Sequence, residues 1–270
     1  MISVALDVDA VLAEAAARTG EPLADPTGPL SFGVDLGTAT VVIVAVDSFG
    51  VPVYVNAVRR EVVRDGIVVD FQGAVEAVRE LRDEAAAVLG VVPESAATAF
   101  PPGVSEADSR ACRFVLEQAG LECRALIDEV TAAQTLLRLS DGVVADIGGG
   151  STGVGTYVAG ELVELGDLPG GGHHLNLILA GSLGIDIQVA ERLKREEGAA
   201  HLPAIRPGIE RIAHNIGRLI PAGADGPIHL VGGALMTTGA GRIVENYLGR
   251  TVVEHPHSML VTPLGIALSP

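Results

Sequence analysis

The sequence predicts an α/β protein of two related lobes, and three observations indicate it. An apolar run that ends in aspartate and continues into glycine and hydroxyl residues occurs twice, over residues 32–40 and 143–152. Each copy is followed by two more apolar runs with a tight turn between them, over 41–55 and 154–165. Strand-like and helix-like patterns alternate through the rest of the chain. Two unrelated hairpin turns are the alternative, but shared residue types, spacing and order favour an internal duplication.

The composition argues against several classes of protein. The 270 residues include 34 acidic and 18 basic side chains, a net charge of −16, which argues against a nucleic-acid partner. Apolar runs are interrupted well before the ~20 residues of a membrane helix, so no membrane partner is expected. Cys112 and Cys123 lack metal-ligand spacing, which argues against a zinc or iron–sulfur site. The first 14 residues lack the basic start of a signal peptide, and we expect a cytoplasmic protein.

The N-terminal segment differs in pattern from the rest of the chain. Residues 8–18 place apolar side chains on one helical face, and three prolines and a glycine over 21–29 indicate a linker. Such a helix either packs on its own domain or docks on a partner or a protein shell. The expected organisation is an extension over 1–30, lobe I over 31–140, lobe II over 141–260, and a C-terminal helix over 261–270 that returns to lobe I.

The elements of lobe I follow from periodicity and from turn residues. β-Branched runs predict strands, Ser105 is suited to cap a helix, and Gly90 is suited to end one. Residues 64–66 have the composition of a turn. The predicted strands are 41–46, 51–55, 67–69, 96–100 and 122–127, and the predicted helices are 71–89, 105–119 and 128–139.

Lobe II is predicted to repeat the opening strands and then to become mainly helical. Pro263 near the start of the last apolar segment fits the first turn of a helix. The predicted strands are 154–158, 161–165, 228–231 and 251–253, and the predicted helices are 175–180, 185–195, 205–220, 241–248 and 261–267.

The two turns have the composition of a phosphate-binding site. Glycine allows backbone N–H groups to approach an anion, and the hydroxyls of Thr38 and Ser151 add donors. The carboxylates of Asp35 and Asp146 are suited to a hydrated Mg²⁺. Two such turns facing each other would hold the phosphates of a nucleotide from both sides.

Five segments in order, 35–38, 128–133, 146–151, 230–234 and 262–267, resemble the pattern of the actin, Hsp70 and sugar-kinase ATPase superfamily. The resemblance implies two duplicated RNase H-like lobes with a nucleotide cleft between them, and the chain length implies reduced inserted subdomains. It also implies ATP and Mg²⁺ as ligands. The implied nucleotide-binding residues are Gly37, Thr38, Ala39, Gly148, Gly149, Gly150 and Ser151 around the phosphates, and Gly232 and Gly233 beside the adenosine.

Residues 62–71, 97–103, 171–174 and 261–267 further resemble the ethanolamine utilization protein EutJ family. That resemblance implies a chaperone-like role in ethanolamine breakdown, in association with a bacterial microcompartment. The implied partners are ATP and ADP, together with enzymes of the ethanolamine pathway or shell proteins of the microcompartment.

The superfamily resemblance also assigns chemistry to single residues. Asp35 and Asp146 would position Mg²⁺ through water, and Glu129 would help to place the water that attacks the γ-phosphate. The alternative for Glu129 is a helix N-terminal carboxylate that only favours the dipole. His173 and His174, after three glycines, either face the phosphates or contact backbone and solvent.

Three departures from the superfamily pattern bear on activity. Val130 stands where a proline usually follows the glutamate, Gly153 stands where a second acid is expected, and the lysine of the inserted subdomain has no counterpart. We therefore expect an ATP-binding protein with weak hydrolysis. A small-molecule kinase of the same superfamily and a non-catalytic, nucleotide-sensing scaffold are the alternatives.

Overall fold

The fold was analysed in a computed structural model that describes residues 7–64 and 66–270. The first six residues of the predicted extension and Asp65 of the predicted turn lie outside the described residues. Within the described ranges the strands form two five-stranded sheets and one two-stranded hairpin. The predicted two-lobed α/β fold is confirmed.

The first sheet has the strand order β3-β2-β1-β6-β7. Strands β1, β2 and β3 are antiparallel, whereas β6 and β7 run parallel to β1. The strands are rich in β-branched residues that suit a sheet buried on both faces. Their bounds are β1 (Ser31–Leu36), β2 (Thr40–Val46), β3 (Pro52–Arg59), β6 (Ser95–Phe100) and β7 (Glu122–Asp128), with β4 (Val63–Arg64) and β5 (Ile67–Val68) as the separate hairpin.

The second sheet repeats this topology, with the order β10-β9-β8-β11-β12. Again the first three strands are antiparallel and the last two run parallel to the central one. Identical strand order in both sheets is what a duplicated unit produces. The bounds are β8 (Gly142–Ile147), β9 (Ser151–Val158), β10 (Glu161–Pro169), β11 (Ile228–Val231) and β12 (Val252–Glu254).

Helices cover the sheets and connect them. Helices α2 and α3 pack on the first sheet, which together we call lobe I, and α5, α6 and α7 pack on the second sheet as lobe II. A third apolar cluster joins the lobes through α4 and α8. The helices are α1 (Val8–Ala17), α2 (Phe71–Leu89), α3 (Glu106–Gln118), α4 (Glu129–Leu137), α5 (Gly172–Leu183), α6 (Ile187–Leu219), α7 (Ala240–Leu248) and α8 (Val261–Leu268), with a short 3₁₀ turn over Ser258–Leu260.

Lobe II contains a kinked element where the sequence predicts two helices, over 185–195 and 205–220. The element α6 spans both, and its backbone leaves helical geometry at Glu197, so two helical segments meet at a kink there. The second segment begins after Glu197, earlier than predicted, and contains Pro203 and Pro207. Ile205 and Ile209 are fully buried in the lobe II core, and this packing outweighs the low helix propensity of proline.

The N-terminal helix packs on the chain itself. Leu12 and Ala15 are fully buried in the cluster that joins the lobes, and Asp7 caps the helix through the amide of Ala10. Asp9 also accepts a 2.8 Å hydrogen bond from His255 of lobe II. Of the two alternatives for this segment, the structure has the helix packed on its own domain.

Helices α4 and α8 cross at very close range between the lobes. A Cβ atom built on Gly265 would collide with the backbone carbonyl of Ala132, so only glycine permits this approach. Helix α8 also lies directly on β1, where a Cβ on Gly33 would reach within 2.8 Å of the Cα of Ala267. The connecting helices therefore hold the ends of β1 and β8 near each other.

Candidate nucleotide site

The two glycine turns have the same backbone hydrogen bonding. The amide of Gly37 donates to the carbonyl of Thr40 at 3.1 Å, and the amide of Gly148 donates to the carbonyl of Ser151 at 3.1 Å. The flanking strand pairs are equivalent, with Leu36 opposite Val41 in one turn and Ile147 opposite Thr152 in the other. The duplication seen in the sequence therefore extends to atomic geometry.

The turns face each other across the boundary between the lobes. A Cβ atom built on Gly149 would lie 2.9 Å from the Cβ of Thr38, which is closer than side chains approach. Glycine at position 149 therefore allows the two loops to meet. The predicted arrangement of two facing turns is what the structure contains.

The tips of both turns present unpaired amide groups. The backbone N–H groups of Thr38, Ala39, Gly149 and Gly150 find no acceptor among the residues that the structure describes. Successive free amides in a turn form an anion-binding concavity, and oxygen atoms of phosphate suit it. Two such concavities on opposite sides of one cleft fit an extended polyphosphate chain.

A cavity of about 1090 Å³ opens between the lobes beside these turns. Five of the predicted phosphate-binding residues, together with Gly233, form part of its wall. These are Thr38, Ala39, Gly148, Gly149, Gly150 and Gly233. Lobe I adds Arg59 and Arg64, and lobe II adds side chains of α5 and α6. This volume lies just above the range of about 300–1,000 Å³ that is usual for small-molecule sites, so the cavity is large enough for a nucleotide-sized ligand.

Three of the predicted nucleotide-binding residues lie behind the wall of the cavity. Gly37 and Ser151 close the turns through the hydrogen bonds given above. Gly232 has a left-handed backbone, with φ of 82°, and a Cβ there would lie 2.6 Å from the Oδ1 of Asp146. Gly232 therefore passes closely over Asp146, and its role in the geometry is to shape the site.

Asp35 and Asp146 occupy equivalent positions at the ends of β1 and β8. Burial and the nearby Asp146 raise the pKa of Asp35 to about 7. Burial also raises the pKa of Asp146, while the hydroxyl of Thr262, which donates at 2.5 Å, opposes the rise. Asp146 thus raises the proton affinity of Asp35, and a cation next to both carboxylates would stabilise their charged forms. Oxygen ligands are those that Mg²⁺ prefers, so the donor set fits the expected ion.

The sequence-based expectation for Mg²⁺ is a hydrated ion, held through water. In the described part of the chain, no three His, Cys, Asp or Glu side chains converge as direct ligands of a metal.

Glu129 is the first residue of α4 and lies close to these aspartates. Asp128 caps the helix by accepting the amide of Thr131 at 2.8 Å, which fixes the helix start. Burial, followed by the charges of Asp146 and Asp35, raises the pKa of Glu129 well above its ordinary value. Glu129 is therefore electrostatically coupled to the two aspartates, and its role in hydrolysis stays a prediction.

Four residues of the site were not found from the sequence. Thr262 holds Asp146, and Asp167 adds a fourth acid whose pKa burial raises to about 6. Lys194 is 8% exposed and lines the cavity, where its Nζ donates to the carbonyl of Gly172 at 3.0 Å. Glu191, one helical turn earlier, also lines the cavity. Glu191 and Lys194 are three residues apart and therefore share one helix face, and this spacing was the sequence signal that could have indicated them.

Histidines and an ion pair complete the mouth of the cavity. His173 and His174 line it, and the amide of His173 donates to the carbonyl of Gly149 at 2.8 Å. Arg59 of lobe I and Glu191 of lobe II form a 2.7 Å ion pair across the opening. The amide of His173 thus contacts backbone, as the second of their two alternatives has it, and the first, in which the imidazoles face the phosphates, stays a prediction.

The repeated sheets, the crossing helices and the facing turns define a protein of the actin-like ATPase fold. The PilM–PilN type IV pilus biogenesis complex contains a similar chain, with a TM-score of 0.76 and 16% identity, covering 89% of this chain and 99% of that one. MreB5 of Spiroplasma citri bound to ADP is also similar, with a TM-score of 0.68 and 16% identity, covering 88% and 95%. At such identities the likeness concerns the fold.

Relatives of higher identity narrow this class to one family. EutJ of Escherichia coli K12 is 40% identical over 259 residues, which are 96% of this chain and 92% of the relative. The crystal structure of EutJ from Carboxydothermus hydrogenoformans matches with a TM-score of 0.91 and 38% identity, covering 97% of each chain. The chain belongs to the ethanolamine utilization protein EutJ family, as the sequence motifs predict. No family model matches it.

Among the described helices, none combines the length and the apolar character that a membrane crossing requires.

Proposed function

We propose that this chain binds ATP with Mg²⁺ between its lobes, hydrolyses it slowly, and serves ethanolamine utilization as a chaperone-like protein. The observation that supports ATP binding is the pair of facing turns with four unpaired amides at the wall of a large cavity. The support for the cellular role is membership of the EutJ family.

The proposed binding mode follows from the wall of the cavity. Amides of Thr38 and Ala39 from one side, and of Gly149 and Gly150 from the other, donate to the β- and γ-phosphates. The adenosine extends past Gly233 toward α6, where Glu191 and Lys194 line the cavity. Bound Mg²⁺ would neutralise phosphate charge and the crowded carboxylates of Asp35 and Asp146, which hold its water ligands.

Hydrolysis would depend on positioning. Phosphoryl transfer requires an in-line water and stabilisation of charge, with little covalent chemistry by the protein. Glu129, at the start of the connecting helix α4, would orient the attacking water, because the charges of both Asp146 and Asp35 act on it. The absence of a lysine counterpart in the sequence motifs and the glycine at position 153 are consistent with a slow rate.

In the cell, nucleotide state would alter how the lobes sit relative to each other. The ion pair between Arg59 and Glu191 bridges the opening, so lobe movement changes a surface that a partner can read. We propose that this partner is an enzyme of ethanolamine breakdown or a shell protein of a bacterial microcompartment, in the cytoplasm. Pull-downs in ATP and in ADP should then recover different partners.

Titration calorimetry with Mg·ATP tests the binding proposal directly. Gly149→Ala should weaken ATP binding about 10- to 100-fold, because its Cβ separates the turns and costs charge-assisted hydrogen bonds. Gly181→Ala is the matched control, because a Cβ at that helical position meets no atom within 4 Å and binding should not change. Equal affinity in Gly149→Ala and the parent would contradict the proposed mode.

Measuring the release of phosphate and ADP distinguishes the proposed slow ATPase from the scaffold and the kinase. No heat at millimolar Mg·ATP refutes the function as a whole. Binding without release of phosphate supports the nucleotide-sensing scaffold. ADP release that rises only with ethanolamine or a sugar present supports the small-molecule kinase.

A further inference from the structure

Position 153 on β9 carries glycine in place of the expected acid, and an acid, Asp167, lies next to it on β10. In the antiparallel ladders of lobe II, Gly153 pairs with Asp146 on one side and with Asp167 on the other. Residues directly opposite each other in antiparallel strands point to the same face of the sheet. Asp146, Gly153 and Asp167 therefore form one row across three strands, with the two acids about 10 Å apart by strand spacing.

The space beside Gly153 is occupied by side chains of two other segments. A Cβ on Gly153 would lie 3.2 Å from the side chains of both Val130 and Pro102. Val130 is the residue that stands where the superfamily has proline, so the two departures noted in the sequence are in contact. A carboxylate at position 153 would lack space, whereas position 167 on the next strand has it.

Asp167 is connected to the candidate site and retains an unused oxygen. Ser151 lies two residues before Gly153 on the same face of β9, next to Asp167, and its hydroxyl opposes the rise in the pKa of Asp167. The charge of Asp167 in turn raises the pKa of Glu129. Its Oδ1 is shielded from solvent and accepts no hydrogen bond from the described residues. A buried acceptor without a partner is a costly feature that a bound water would satisfy.

We propose that Asp167 is a positioning residue for the hydrolysis of ATP, holding Ser151 in the phosphate turn and, with Glu129, ordering the attacking water. This inference rests on the proposed function. The lobe I row has no counterpart, because Asp35 pairs with Val42 and Val42 pairs with Ala57. In this proposal the attacking water is held by two acids from different elements, Glu129 at the start of the connecting helix α4 and Asp167 on β10 of lobe II.

Asp167→Asn tests this assignment in the full-length chain. The variant should bind Mg·ATP with the affinity of the parent in calorimetry, while its kcat for phosphate release falls about 10- to 100-fold. Asp167→Glu should recover part of the rate, because it restores the carboxylate. Glu164→Gln, on the exposed part of the same strand, is the control and should leave both quantities unchanged.

Each other result has a distinct meaning. If the parent shows no binding or no turnover, the proposed function fails, and this inference fails with it. If the parent turns over and Asp167→Asn matches its rate, only the role of Asp167 is overturned. A parallel loss of affinity and kcat in both Asp167 variants would indicate a structural role and would also overturn it.

Discussion

Asp35→Asn should stabilise the nucleotide-free chain at alkaline pH while removing its response to Mg²⁺. The raised pKa means that the folded state binds a proton more tightly at Asp35 than the unfolded state does. Stability from this group is therefore full below the ordinary pKa of 3.8 and is lost as pH rises toward about 7. At pH 8 the ionised Asp35 opposes folding, and a neutral amide of the same shape removes that cost.

The pKa difference sets the size of the effect. A shift of about three pKa units corresponds to a ceiling of ~4 kcal/mol in the free energy of unfolding. The side chain is partly exposed and its charge is shared with Asp146, so we expect about half of this, ~2 kcal/mol. For a chain of this size that is a rise of about 4–8 °C in the melting temperature.

Thermal unfolding from pH 5 to pH 8, with and without Mg²⁺, measures both effects. The gap between Asp35→Asn and the parent should widen as pH rises, and Mg²⁺ should stabilise only the parent. Asp141→Asn is the matched control, because hydrogen bonds from Ser140 and the Ala159 amide lower the pKa of Asp141, and the amide should not stabilise. A variant that melts below the parent at pH 8 would refute the electrostatic account of this site.

Two further predictions concern the packing between the lobes and the N-terminal helix. Gly265→Ala should lower the free energy of unfolding by about 3 kcal/mol, measured as a lower denaturant midpoint, because its Cβ meets the backbone of Ala132 and the helices must separate. His229 has a pKa that burial, with the charge of His255, lowers to about 4, so parent stability should fall as pH drops from about 6.5 to 4. His229→Gln should flatten that slope in pH-dependent melting, and an unchanged slope would contradict the assignment to His229.

Much of the fold was predictable because its signals are local. The β-branched runs, the cap at Ser105 and the glycine stop at Gly90 each act within a few residues, and the strands and helices they predict are present. The early start of the second helical segment of α6 was not predictable in this way. Pro203 and Pro207 disfavour a helix locally, and the burial of Ile205 and Ile209 in the lobe II core compensates.

The phosphate turns were predictable for the same local reason, whereas Thr262, Asp167 and Lys194 were not. Thr262 is separated by 116 positions from Asp146, whose carboxylate it holds. Asp167 can be recognised as a site residue only when the strand register is known, because the register places it opposite Gly153. Such long-range partners depend on how the strands pair, and one sequence alone does not reveal that pairing.

The duplication explains why the proposed binding is symmetric and the proposed chemistry is not. Both lobes have the same turn, with equivalent aspartates and equivalent hydrogen bonds, which suits the two sides of the polyphosphate proposed to bind there. A single water attacks a single phosphorus atom, so that step needs no second copy. The two halves differ beside the shared turns, with Glu129 at the start of the connecting helix α4 and Asp167 on β10 of lobe II. Because these acids lie on different elements, closure of the cleft would bring both to the proposed water, which would couple turnover to lobe movement.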